Sequence, residues 1–77
     1  MENKRIGYSE AKSLMRQLAN NHPGTKYVAF LDPEFRGYGF YIVCDALTHA
    51  KLYKSVPVTY AGQTGMDGSY YMKQLQS

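Results

Sequence analysis

The clearest local pattern in the chain is a stripe of apolar residues with helical spacing between residues 9 and 20. Its members fall at i, i+3, i+4, i+7 and i+8, namely Ala11, Leu14, Met15, Leu18 and Ala19. This spacing predicts an amphipathic helix with one apolar face. Ser9 is the expected N-cap residue, and the Pro23-Gly24 pair is expected to stop the helix.

Two strand patterns follow the helix. Residues 26 to 32 contain a short apolar run, and residues 38 to 44 are rich in aromatic and β-branched side chains. The turn signals between them, from Pro33 to Gly37, predict a hairpin. We expect its two strands to form the centre of the sheet.

The second half of the chain is less clear. Residues 45 to 53 are compatible with a turn or with a short helix capped by Asp45, and we favour the helix. Its inward-facing residues would be Ala46, Leu47, Ala50 and Tyr53. Residues 56 to 61 resemble a strand, which Pro57 restricts to a sheet edge or a strand start because proline donates no ladder hydrogen bond. After the Asp67-Gly68 turn signal, either a closing hairpin or a frayed end is expected.

These elements predict an α+β fold in which one N-terminal amphipathic helix packs on a small, mainly antiparallel sheet of three to four strands. The length of 77 residues favours a single domain over residues 1 to 77. A hydrophobic content of 44% is too high for a disordered chain. The single cysteine, with no signal peptide or membrane-spanning apolar run, predicts a cytoplasmic protein.

Residues that carry chemistry are few. The chain has one cysteine, two histidines and six acidic residues, without the spacing of a metal site or of a catalytic set. Cys44 and His49 are close enough in sequence to suggest a thiol and imidazole pair, but Cys44 ends an apolar strand and is better explained as a small core residue. We therefore expect no enzymatic activity, no cofactor and no metal.

One short segment resembles a known motif. Arg36-Gly-Tyr-Gly-Phe40 resembles the start of the RNP1 signature of the RNA recognition motif family. The resemblance implies that Arg36 contacts phosphate while Tyr38 and Phe40 stack on bases. It is local, and the following positions Tyr41 and Val43 depart from the signature.

Strand alternation points to another role for the same segment. Tyr38, Phe40, Ile42 and Cys44 would share one face of a strand, since side chains alternate between faces. The apolar members of this stripe favour a core surface that receives the N-terminal helix. Tyr41 and Val43 would then lie on the reverse face.

Eight tyrosines in so short a chain are its most unusual compositional feature. Tyrosine suits strands, and it is also enriched at protein interfaces. The leading hypothesis is a small non-enzymatic binding protein that contacts another protein, or a second copy of itself, through Tyr41, Tyr60 and Tyr53. Inhibitors and accessory factors of phages or mobile elements are often of this size, so such a role is part of the hypothesis.

The alternative is a module that binds single-stranded RNA or DNA. It would use Arg36, Tyr38 and Phe40 together with the helix residues Lys12 and Arg16. The net charge of +3 arises within residues 1 to 26, which is compatible with phosphate attraction and also with an ordinary solvated face. No membrane contact is expected.

Overall fold

The computed structural model describes residues 6–35 and 37–75. In chain order the elements are α1 (Tyr8–Asn21), β1 (Lys26–Leu31), a 3-10 turn (Pro33–Phe35), β2 (Tyr41–Asp45), α2 (Ala46–Leu52), β3 (Tyr60–Thr64) and β4 (Tyr70–Gln74). The predicted α+β fold, with an N-terminal helix packed on an antiparallel sheet, is confirmed.

The four strands form one antiparallel sheet in the order β2-β1-β3-β4. The predicted hairpin of β1 and β2 is present. Of these two strands only β1 is an inner strand, whereas β2 lies at the sheet edge, so the expectation that both are central is wrong. The strand predicted over residues 56 to 61 begins at Tyr60 instead. β3 is an inner strand, which is possible because Pro57 lies before it and takes no part in the ladder.

One face of the sheet is covered by α2 and the segment that follows it. Phe30 lies opposite Ile42, and Val28 lies between Cys44 and Ala61. Phe30 and Val28 are buried. Around them pack half-buried residues from β2, α2 and the connection to β3, namely Ile42, Cys44, Ala46, Tyr53, Val56 and Val58.

The other face is covered by α1. Met15 is fully buried, and its methyl carbon would lie 3.3 Å from a Cβ placed on Gly62. Tyr41 and Val43 share this face, because Tyr41 contacts Tyr8 of α1 and alternation places Val43 on the same side. The predicted assignment of the faces is therefore reversed. Ile42 and Cys44 do share a core face, but α2 covers that face and α1 covers the opposite one.

Some element boundaries also differ from the predictions. α1 begins at Tyr8 with Gly7 as its N-cap, so the expected cap at Ser9 is wrong. β2 begins at Tyr41, which leaves Tyr38 and Phe40 in the connection before the strand. The core stripe predicted for β2 is thus confined to Ile42 and Cys44.

The helix favoured for residues 45 to 53 is confirmed as α2. The Asp45 carboxylate accepts hydrogen bonds from the backbone N–H and the hydroxyl of Thr48, as an N-cap residue does. Ala46 and Tyr53 face the core as predicted. Leu47 and Ala50 are exposed, so their predicted inward orientation is wrong.

This cap leads to a pH-dependent prediction. The hydrogen bonds from Thr48 hold the pKa of Asp45 below its ordinary value. A lowered folded-state pKa contributes stability above the unfolded-state pKa, and that stability is lost as the pH falls through the folded pKa. Asp45→Ala is therefore expected to lower the melting temperature at pH 7, and the difference from wild type should shrink under acidic conditions. Melting curves by circular dichroism from pH 7 to pH 2 measure this difference, and a gap that does not change with pH would contradict the role of the charge.

The closing hairpin, one of two options for the end of the chain, is present as β3 and β4. Within the turn between them, Asp67 accepts hydrogen bonds from the backbone N–H and hydroxyl of Ser69. Among the described residues, neither helix has the length and apolar character needed to cross a lipid bilayer.

Candidate partner-binding surface

The connection between β1 and β2 carries three aromatic rings that contact one another. Tyr38 and Phe40 are stacked, with ring centroids 5.9 Å apart and planes 15° apart. The Phe35 ring packs edge-on against both, with its centroid 6.5 Å from that of Tyr38 and 6.1 Å from that of Phe40. We call these three residues the aromatic loop.

Backbone hydrogen bonds hold this loop in place. The N–H of Asp32 donates to the carbonyl of Phe40 at 2.9 Å, which closes the base of the loop. The N–H of Tyr38 donates to the carbonyl of Phe35 at 3.2 Å. Gly37 and Gly39 have φ values of +90° and +74°, a region that residues with a Cβ rarely adopt. Glycines on both sides of Tyr38 therefore allow the chain to turn tightly and present the ring.

A cleft of about 630 Å³ lies between the aromatic loop and the connection from α2 to β3. Ten described residues line this loop cleft, and Asp32 is the one charged residue among them. The others include Leu31 and Phe35 from one side and Val56 and Pro57 from the other. The cleft is thus mainly apolar, and its volume is in the range of ligand-binding sites.

Two large exposed side chains lie at this end of the molecule: Leu31, which lines the cleft, and Tyr38, whose neighbours Gly37 and Gly39 line it. Tyr38 is 72% exposed and Leu31 is 49% exposed. Scattered apolar residues on a surface are normal, but here they adjoin a concave apolar surface and a cluster of aromatic rings. This combination is typical of binding sites.

Two of the three tyrosines predicted to bind a partner lie elsewhere, beneath the start of α1. Tyr41 and Tyr60 are half-buried and form a cluster with Tyr8, with ring centroids 5.3 to 6.4 Å apart. A hydrogen bond to the Tyr8 hydroxyl raises the pKa of Tyr60 to about 12. The pKa of Tyr8 is lowered, mainly by this bond and also by one from Lys12 Nζ at 3.2 Å.

The third predicted tyrosine, Tyr53, belongs to the core beneath α2. The centroid of its ring lies 5.0 Å from the centroid of the Phe30 ring. The His49 ring also packs on Phe30, with a centroid distance of 4.9 Å. The structure therefore brings Tyr41 and Tyr60 together and places Tyr53 on the opposite face of the sheet. Contact of any of the three with a partner stays a prediction.

The residues of the nucleic-acid alternative fall into two separate groups. Lys12 and Arg16 lie on α1, over the rings of Tyr8 and Tyr70 respectively. Tyr38 and Phe40 lie in the aromatic loop and stack on each other, which covers one face of each ring. Arg36 lies outside the described residues.

The Cys44 thiol and the His49 ring, considered above as a pair, have different surroundings. Burial raises the pKa of the Cys44 thiol, and the neighbouring Asp45 charge raises it further. The His49 Nε2 atom is 2.7 Å from the Val56 carbonyl oxygen, a contact that ties α2 to the following segment. Within the described residues there is no group of three His, Cys, Asp or Glu side chains arranged to hold a metal ion.

No protein-family model, curated protein or solved structure matches the chain. Function is therefore inferred from the geometry of the molecule itself.

Sequence reasoning singled out Tyr38 and Phe40 but missed Leu31, Phe35 and the loop cleft. The available signal was the pair of glycines around Tyr38, which indicates a turn rather than a continuous strand.

Proposed function

We propose that this protein acts by binding another protein, and that the aromatic loop and the loop cleft form its contact surface. The observation that carries the proposal is a mainly apolar cleft whose lining includes Gly37 and Gly39, the two chain neighbours of Tyr38, which is itself 72% exposed. The sequence-based hypothesis assigned contact to other tyrosines, whereas the proposal assigns it to this end of the molecule.

The chemistry of the surface supports a protein partner. Aromatic residues are enriched and charged residues are depleted at the centres of protein interfaces. Burying an exposed tyrosine or leucine in an interface removes apolar area from water and contributes about 25 cal/mol per Å². The cleft would accept an apolar anchor from the partner, while Tyr38 would insert into a pocket on the partner's side.

Preorganisation of the loop also supports the proposal. Binding is weakened when a flexible loop must be ordered. Here hydrogen bonds at Asp32 and Tyr38, together with ring contacts to Phe35, connect the described residues of the loop to one another in the unbound chain. We expect the free-energy cost of ordering the loop on binding to be small.

We expect this binding protein to act as an inhibitor or an accessory factor of a phage or mobile element. Self-association is the special case in which the partner is a second copy. Sedimentation velocity over a range of protein concentrations would reveal that case directly.

The proposal is tested by affinity capture from an extract of the cells in which the protein naturally occurs, with and without nuclease. Tyr38→Ser is expected to reduce recovery of a specific partner about tenfold, because a central exposed aromatic typically contributes more than 1 kcal/mol to an interface. Tyr71→Ser is the matched control, since Tyr71 is 63% exposed and lies on β4, at the sheet edge opposite β2.

The expected result is a partner that survives nuclease treatment, is recovered by wild type and Tyr71→Ser, and is lost with Tyr38→Ser. Both variants should melt close to the wild-type temperature because both side chains are largely exposed. Equal recovery by all three proteins, or recovery that nuclease abolishes, would reject the proposal.

A further inference from the structure

A second concave surface lies between α1 and β4 and is chemically unlike the loop cleft. It is a groove of about 470 Å³ whose lining includes two cationic and several hydroxyl-bearing side chains. From α1 come Ser9, Lys12, Ser13 and Arg16, and from β4 comes Tyr70. We call it the cationic groove.

The two cations of the groove lie over tyrosine rings. Lys12 Nζ lies 4.9 Å from the centroid of the Tyr8 ring, and the Arg16 guanidinium lies 5.4 Å from that of Tyr70. Within residues 6–35 and 37–75, Lys12 also donates a hydrogen bond to the Tyr8 hydroxyl at 3.2 Å. A tyrosine ring carries no net charge, so these contacts leave the positive charge of both side chains in place.

Hydrogen-bond donors remain available at both cations. A lysine ammonium has three N–H donors, and the contacts of Lys12 within the described residues use one of them, toward the Tyr8 hydroxyl. A guanidinium that stacks on a ring keeps its N–H groups at its edge, where they can bind phosphate in a bidentate manner. Ser9 and Ser13 add hydroxyl donors on the same side of α1, because residues four apart share a helical face.

The spacing of the cations suggests the kind of anion. Lys12 and Arg16 are four residues apart, which separates them by about 6 Å along the helix axis. Such a spacing suits two neighbouring negative groups better than one. The volume of the groove also lies in the range of small-molecule sites.

We propose that the cationic groove binds a small molecule with two adjacent phosphate groups, such as a nucleoside diphosphate. Lys12 and Arg16 would each bind one phosphate, and Ser9 and Ser13 would donate hydrogen bonds to the same oxygens. This inference is independent of the loop cleft and of any protein partner.

The test uses isothermal titration of the full chain with pyrophosphate, ADP, AMP and a short oligothymidylate, at low and at high salt. ADP and pyrophosphate are expected to bind more tightly than AMP and to weaken as salt increases. The variant Lys12→Gln/Arg16→Gln should bind ADP at least about tenfold more weakly, because two charge-assisted contacts are lost. The matched control is Lys51→Gln/Lys54→Gln, which removes the same charge from two exposed residues outside the groove.

Retention of ADP binding in the control, and its loss in the groove variant, would support the proposal. An equal loss in both variants would mean that net charge alone attracts the anion, and it would overturn the proposal. Binding of oligothymidylate without binding of ADP or pyrophosphate would assign the cations to nucleic acid and would also overturn it, as would no binding of any probe by the wild type.

Discussion

Replacement of Phe30 by alanine is expected to destabilise the protein by about 3 to 5 kcal/mol, the usual cost of removing a buried aromatic ring. Phe30 has no exposed surface, lies opposite Ile42, and contacts the rings of His49 and Tyr53. Its removal would leave a cavity at the point where β1, β2 and α2 meet. A domain of this size has a total free energy of unfolding of about 4 to 12 kcal/mol. The variant should therefore be largely unfolded near the melting temperature of the wild-type protein.

Urea unfolding followed by circular dichroism measures this loss. Phe30→Leu keeps most of the volume and should cost clearly less, so it gives a measurable value even where Phe30→Ala does not fold. Leu52→Ala is the surface control, since Leu52 is 70% exposed and such changes are usually within about 0.5 kcal/mol of wild type. A loss below about 1 kcal/mol for Phe30→Ala would contradict the placement of Phe30 at the centre of the core.

The second large effect is expected at Gly62, where α1 and β4 approach β3 closely. A Cβ at this position would lie 2.6 Å from the Tyr70 hydroxyl oxygen, 3.2 Å from its Cζ and 3.3 Å from the Met15 methyl carbon. Gly62→Ala must therefore displace the Tyr70 side chain and shift the Met15 methyl group slightly. We expect it to cost about 1 to 3 kcal/mol, as other overpacking substitutions do.

A double-mutant cycle with Tyr70→Phe tests the cause. The Tyr70 hydroxyl is buried and has no hydrogen-bond partner among the described residues, so Tyr70→Phe alone should be neutral or slightly stabilising. Removing the oxygen also removes the closest contact, and Gly62→Ala should then cost about 1 kcal/mol less. Chemical denaturation of the four proteins gives this coupling. Strict additivity would show that the Tyr70 hydroxyl is not the obstacle.

Several elements could be predicted because their signals are local. The apolar spacing of residues 9 to 20 predicted α1, and the apolar run before Asp32 predicted β1. Asp45 signalled the start of α2 because an N-cap carboxylate satisfies N–H groups only a few residues away. The turn at Asp67-Gly68 likewise depends on neighbouring residues alone.

The candidate surfaces could not be predicted in the same way. The loop cleft joins the β1–β2 connection to residues just before β3, which are about 20 positions further along the chain. The cationic groove combines one face of α1 with β4, near the other end of the chain. Neither combination leaves a pattern within a short stretch of sequence.

The sequence by itself determined the α+β class, the N-terminal helix, the β1–β2 hairpin and the grouping of Ile42 with Cys44 on one strand face. It favoured α2 but left a turn open at the same residues. Tertiary structure decided the strand order, the exclusion of Tyr38 and Phe40 from β2, and the helix that covers each face of the sheet. The physical reason is that alternation with a period of two shows which side chains share a face and contains no information about what covers it. Here α2 covers Phe30 and Ile42, so α1 packs on Tyr41, Tyr60 and Gly62.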